Sequence, residues 1–144
     1  MADAAQEVLG RAGHQADIDV QYDQESLQAG AVLALFADLG EGVRLGADLA
    51  GALRRTAEFI GKHVAKQLLE DMQTGATLDR FASDQIIPFA SLAEGESRFR
   101  IAAVTDHVLT NLWLAKKFLG VKGRLNDHTL SITGVGFQRQ GLDV

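Results

Sequence analysis

The 144-residue sequence contains no cysteine. This removes disulfide cross-links, thiolate metal sites and a cysteine nucleophile together, and leaves the fold to stand on packing alone. Proline occurs once, at Pro88, and no stretch goes long without aliphatic residues, which excludes disorder as the chain's general state. No segment reaches the ~18 consecutive apolar residues of a membrane span. The first residues, Met1-Ala2-Asp3-Ala4-Ala5-Gln6-Glu7, also lack a basic region followed by an apolar run. The expectation is a soluble, cytoplasmic protein. An excess of positive charge is missing too: 14 Lys and Arg face 19 Asp and Glu, for a formal charge of −5. Bulk attraction to nucleic acid needs a basic face that displaces counterions, so that mode is excluded for the chain as a whole, while a local basic patch stays open.

What is present is a hydrophobic share of 47%, enough to bury one core and too little for two large ones at this length. Residues 3–12 carry Ala4, Ala5, Val8, Leu9 and Ala12 in the spacing of a short amphipathic helix ending at Gly13. Residues 17–22 alternate polar and apolar like a half-buried strand. The apolar run 31–36 reads as a central strand, paired with 43–47 across the turn Gly40-Glu41-Gly42. From Thr56 the period changes: Ala57, Ile60, Val64, Leu68 and Met72 mark the longest helix, closed near Gly75. Thr77 is the expected cap of a second helix, with Phe81, Ile86, Phe89 and Leu92 as its apolar positions and a kink at Pro88. A strand over 98–104, a helix over 108–119 opened by Thr105-Asp106 and ended by Gly120 and Gly123, and a strand over 129–133 follow. The fold class is α/β of the α+β kind, with helices packed on a mixed, largely antiparallel sheet. Residues 1–137 read as a single domain and 138–144 as a flexible tail.

Among the four histidines, only His107 sits where chemistry is easily argued. It follows two capping residues at a helix start, where the macrodipole and unpaired N–H groups disfavour the imidazolium and attract phosphate. A neutral imidazole facing phosphate is a candidate nucleophile for phosphoryl or nucleotidyl transfer. The spacing alone favours a helix-start histidine with a hydrogen-bonded ring, just as Asp84-Gln85 alone reads as an exposed polar pair on a helix.

Two ordered segments weigh on this choice. Thr105-Asp106-His107-Val108-Leu109-Thr110-Asn111-Leu112-Trp113, followed by Lys117-Phe118-Leu119, is similar to the histidine signature of RNA 3'-terminal phosphate cyclases. Upstream, Phe81-Ala82-Ser83-Asp84-Gln85-Ile86-Ile87-Pro88-Phe89-Ala90 resembles the Asp-Gln helix of the same family, and Gly95-Glu96-Ser97-Arg98-Phe99 resembles its linker between the two. The resemblance covers about residues 15–120 and corresponds to the C-terminal portion of such enzymes. It implies βαβαββ-type units similar to the C-terminal domain of a bacterial translation initiation factor. It also implies ATP with Mg or Mn, adenylylation of His107, transfer of AMP to an RNA 3'-phosphate and closure of a cyclic phosphate. Asp84 and Gln85, with Phe81 on the same helix, are then nucleotide-pocket residues.

Family members are more than twice this length, so the resemblance implies a truncated protein whose N-terminal site residues have no counterpart here. That leaves two functions open: a cyclase completed by a complementary N-terminal chain, or a catalytically inactive module for nucleotide, RNA or protein binding. Apolar surface and a sheet edge without their usual cover imply a homo-oligomer, a dimer first. Arg54, Arg55, Lys62, His63 and Lys66 form a basic cluster that is either a solvated face or a phosphate contact. Trp113 and Phe118 are expected in the core. His14, His63 and His128 are too scattered to suggest a metal site.

Overall fold

The computed structural model describes residues 1–138; the expected tail, apart from Gln138, lies outside them. The chain divides into two compact units, Met1–Gln73 and Thr74–Val144. The α+β class holds in both. In place of one sheet, however, there are two, because no strand pairing links the hairpin of the first unit to the three strands of the second.

In the first unit, α1 (Ala2–Arg11) is followed by β1 (Val32–Asp38), β2 (Arg44–Ala50) and α2 (Ala57–Gln73). The hairpin is antiparallel, in register from Val32↔Ala50 to Asp38↔Arg44. Its turn closes through Val43 N–H to the Gly40 carbonyl at 2.9 Å. Asp38 caps the same turn: the Gly40 amide and the Arg44 guanidinium hold its carboxyl below the usual range. Leu33, Leu35, Leu45 and Ala47 turn inward from the hairpin, and Ile60, Val64, Ala65 and Leu68 of α2 meet them, with Ala5 and Leu9 of α1. Residues 17–22 form no strand. Of this segment and its flank, Ala16 and Ile18 pack on this core, Val20 and Tyr22 are exposed, and among the described residues β1 pairs with β2 alone, so the alternation finds no ladder to join. The basic cluster beside α2 is solvated: Lys62 pairs with Glu58 and Arg55 donates to the Ala50 carbonyl.

The second unit runs α3 (Ala82–Leu92), β3 (Glu96–Arg100), α4 (Asp106–Leu119), β4 (Lys122–Asn126) and β5 (Thr129–Thr133). Its sheet is antiparallel, in the order β3-β5-β4. One sheet face, with Leu130, Ile132 and half-buried Phe99 and Leu125, packs against Ile87 and Ala90 of α3 and Val108, Leu112 and Ala115 of α4. Among the described residues of this unit, no helix packs on the opposite face. After β5 the chain crosses the end of α3: the amides of Val135, Gly136 and Phe137 donate to the carbonyls of Ser91, Ala93 and Leu92 at 2.8 to 3.0 Å. These bonds satisfy the carbonyl groups that a helix C-terminus leaves open.

Three expectations for this unit are corrected. Thr77 does not cap α3; it is bound to Arg100 at the end of β3, and the Asp79 carboxylate accepts from the Phe81 and Ala82 amides at 3.0 and 2.7 Å instead. The buried face of α3 is Ser83, Ile87, Ala90 and Ser91, with Phe81, Phe89 and Leu92 exposed. Trp113 and Phe118 are 56% and 80% exposed, because α4 carries two apolar stripes and only Val108, Leu112 and Ala115 lie over the sheet.

Candidate functional site

His107 is the second residue of α4 and is exposed. The strand-like backbone of Thr105 lets its hydroxyl accept from the Val108 amide at 3.2 Å, a side-chain cap that fixes where the helix begins. The first helical bond runs from Leu109 to the Thr105 carbonyl. The amides of Asp106 and His107 have no partner among the described residues. An exposed imidazole therefore stands beside two free N–H donors at the positive end of a 14-residue helix. Gly120, in the left-handed conformation, closes the other end.

The second signature segment forms the first half of α3. Asp84 and Gln85 lie in its opening turns, Asp84 half-buried and Gln85 exposed. Phe81, 46% exposed, precedes the helix. The two helices pack against each other, and one polar contact fixes the fit. Asn111, one turn after His107 on the same side of α4, donates its side-chain amide to the Asp84 carbonyl at 3.2 Å.

That carbonyl is free for a definable reason. In an α-helix the Asp84 carbonyl would accept from the amide of residue 88, but residue 88 is the chain's only proline and has no N–H. Pro88 thus leaves the acceptor that Asn111 uses. Reading the sequence assigns Pro88 only a kink and leaves Asn111 without a role. The available signal was the proline four residues after Asp84.

A double-mutant cycle tests this pairing. Asn111→Ala alone should cost about 1–2 kcal/mol in urea unfolding, since a part-buried acceptor loses its donor. In a Pro88→Ala background the restored amide should serve that carbonyl, so the same change should cost about 1 kcal/mol less. Strict additivity of the two changes would show that they do not share an acceptor.

Of the sequence-predicted site residues, the structure brings the Asp84 backbone and the His107-bearing face of α4 to one helix–helix contact. Phe81 and Gln85 lie at the same helix start as Asp84, and the side-chain bond to α4 is made at Asp84. Among the described residues no three His, Cys, Asp or Glu side chains are grouped to hold a metal ion. No helix there is long and apolar enough to cross a membrane.

These features define an α+β protein whose histidine-bearing helix is pinned to an Asp-Gln helix by a proline-freed carbonyl. Comparison with known proteins names the class: the family model for RNA 3'-terminal phosphate cyclase matches residues 8–125. The chain belongs to this family. It is 40% identical over 149 aligned residues to an RNA 3'-terminal phosphate cyclase of Ignicoccus hospitalis, covering 96% of this chain and 42% of that protein. To the protein of the same name from Methanopyrus kandleri it is 37% identical, covering 83% and 36%. To that of Korarchaeum cryptofilum it is 31% identical, covering 100% and 41%. The chain spans about two fifths of the length of these curated relatives.

Proposed function

We propose that this chain carries the nucleotide-accepting histidine of an ATP-dependent RNA 3'-phosphate cyclisation. An imidazole nitrogen of His107 attacks the α-phosphorus of ATP; the bond to the β-phosphate oxygen breaks and pyrophosphate leaves. An oxygen of an RNA 3'-phosphate then displaces the histidine and takes up the AMP. Last, the neighbouring 2'-oxygen, losing its proton, attacks the 3'-phosphorus, closes the cyclic phosphate and expels AMP. The observation that carries this reading is the Asn111–Asp84 bond, which ties the nucleophile's helix to the segment that resembles the family's nucleotide-contacting helix.

The residues divide the work in physical terms. The Asp106 and His107 amides and the helix dipole favour the negative charge that grows on the α-phosphate during attack. Asp84 and Gln85 offer a carboxylate and an amide for ribose or base, and the exposed Phe81 ring offers a face for the base. A divalent metal on the triphosphate would balance its charge; among the described residues no three His, Cys, Asp or Glu side chains are grouped to hold one.

ATP labelled at its α-phosphate, incubated with the chain and a divalent metal, tests the proposal. Label should appear on the peptide containing His107 and be absent from His107→Ala. Label retained in His107→Ala overturns it by placing the chemistry on another residue, and no label on the parent chain overturns it in favour of a binding module.

A further inference from the structure

The charge of the chain is unevenly placed. Residues 1–73 carry 6 Lys and Arg against 12 Asp and Glu, whereas residues 74–144 carry 8 against 7. Four of the second unit's eight Lys and Arg, namely Arg98, Arg100, Lys122 and Arg124, occupy the exposed alternate positions of β3 and β4, out of phase with the residues that face the helices. In the register of that sheet, Arg98 of β3 lies beside Ser131 of β5, which lies beside Arg124 of β4; in the next row Glu96, Thr133 and Lys122 are neighbours. Thr129, Ser131 and Thr133 thus form a ladder of hydroxyls between cationic strands. Arg98, Lys122 and Arg124 are exposed. None of the three has a carboxylate in ion-pair range among the described residues. Arg100, at the end of the same face, donates to the Thr74 carbonyl at 3.1 Å.

We infer that this open sheet face is a docking surface for the sugar–phosphate backbone of an RNA strand, separate from the chemistry at His107. Charge complementarity favours a polyanion: three unpaired cations on one face of a chain with net charge −5 are not explained by internal pairing. The spacing favours a strand of phosphates. Neighbouring cations along β4 are ~6.7 Å apart and the two outer strands ~10 Å apart, so a backbone laid across the face meets a guanidinium, a hydroxyl and a second guanidinium in turn. Hydroxyl and guanidinium donors of this kind hold phosphate oxygens without reading sequence. Among the described residues the strands present no aromatic side chain on this face, so base stacking plays no part. Ribose is favoured over deoxyribose by Glu96, Lys122, Arg124, Ser131 and Thr133, which line a shallow cleft of about 220 Å³. Its carboxylate accepts from a 2'-hydroxyl and its ammonium donates to one. The choice of RNA over other polyanions rests in part on the proposed cyclase reading; the location of the surface does not.

The test is binding of a labelled single-stranded RNA of about a dozen nucleotides with a 3'-hydroxyl, without ATP or metal, followed by anisotropy over a tenfold range of salt. Three phosphate contacts predict a slope of log K against log salt of about −2. The variant Arg98→Gln/Lys122→Gln/Arg124→Gln should weaken binding at least tenfold at low salt and flatten the slope towards zero. Arg98→Lys/Arg124→Lys should retain the slope, and His107→Ala should bind like the parent. DNA of the same sequence should bind at least threefold more weakly. A parent protein without a salt slope, a triple Gln variant that keeps it, equal binding of DNA, or a polyglutamate peptide that displaces the RNA at equal charge each overturns the assignment. Failure here is separable from failure of the cyclase reading: labelling of His107 in the triple variant reports on the latter alone.

Discussion

Gly134→Ala should lower the stability of the second unit by about 3 kcal/mol or more, the steric cost of overfilling a site that cannot relax. A Cβ at this position would stand 2.2 Å from the Ala93 carbonyl oxygen and 2.5 Å from that of Ala90. Both obstacles are backbone at the end of α3, so neither can rotate away as a flexible side chain would. Relief requires the chain to lift off the helix end, and that movement would break the run of amides from Gly134 to Phe137 that serves Gly95, Ser91, Ala93 and Leu92. The carbonyls so released would lose their partners together. Urea unfolding followed by the circular dichroism of the chain, with hydrogen exchange of the α3 amides, reads the effect. Parent-like protection in α3 would show that the segment after β5 is not what closes the helix.

Leu45→Ala should cost about 3 kcal/mol, within the usual range for deleting a fully buried leucine. The side chain is wholly enclosed between the hairpin and α2. Only seven side chains larger than alanine are buried in this core, and residues 19–31 contribute none because all of them are exposed. A unit of this size buries a smaller fraction of its surface than a larger one, so the cavity removes a large part of a small total. Loss of exchange protection in α2, together with a lower urea midpoint, is the expected result. An unchanged midpoint would mean that the hairpin and α2 close over the gap.

Periodicity located most of the elements because most of them are held by their own stripes. The 3.6-residue spacing of α2 coincides with the buried face that the structure displays, and the strand expected at 129–133 is present with alternate residues buried. β4 was missed for a packing reason: Gly120 does end α4, but Gly123 sits inside the strand, buried where a Cβ would be 2.4 Å from the Leu112 side chain. A glycine that lets a helix approach and a glycine that ends a helix look alike in sequence. Trp113 and Phe118 were misplaced because size and hydrophobicity do not say which of two stripes a sheet will cover. For the site, the segment around His107 was legible as a capped helix start and as a family signature. The tie between its helix and α3 was not, since it depends on a donor 27 positions away from its acceptor.

The arrangement of Pro88, Asp84 and Asn111 also constrains the order in which the chain can change. If Asn111 is replaced first, the Asp84 carbonyl is stranded and the protein passes through a weakened form. If Pro88 is replaced first by a residue with an amide, the acceptor is served within its own helix, and a later change at Asn111 meets little resistance. The two positions therefore act as a ratchet: one path between the same two sequences is nearly level and the other crosses a barrier.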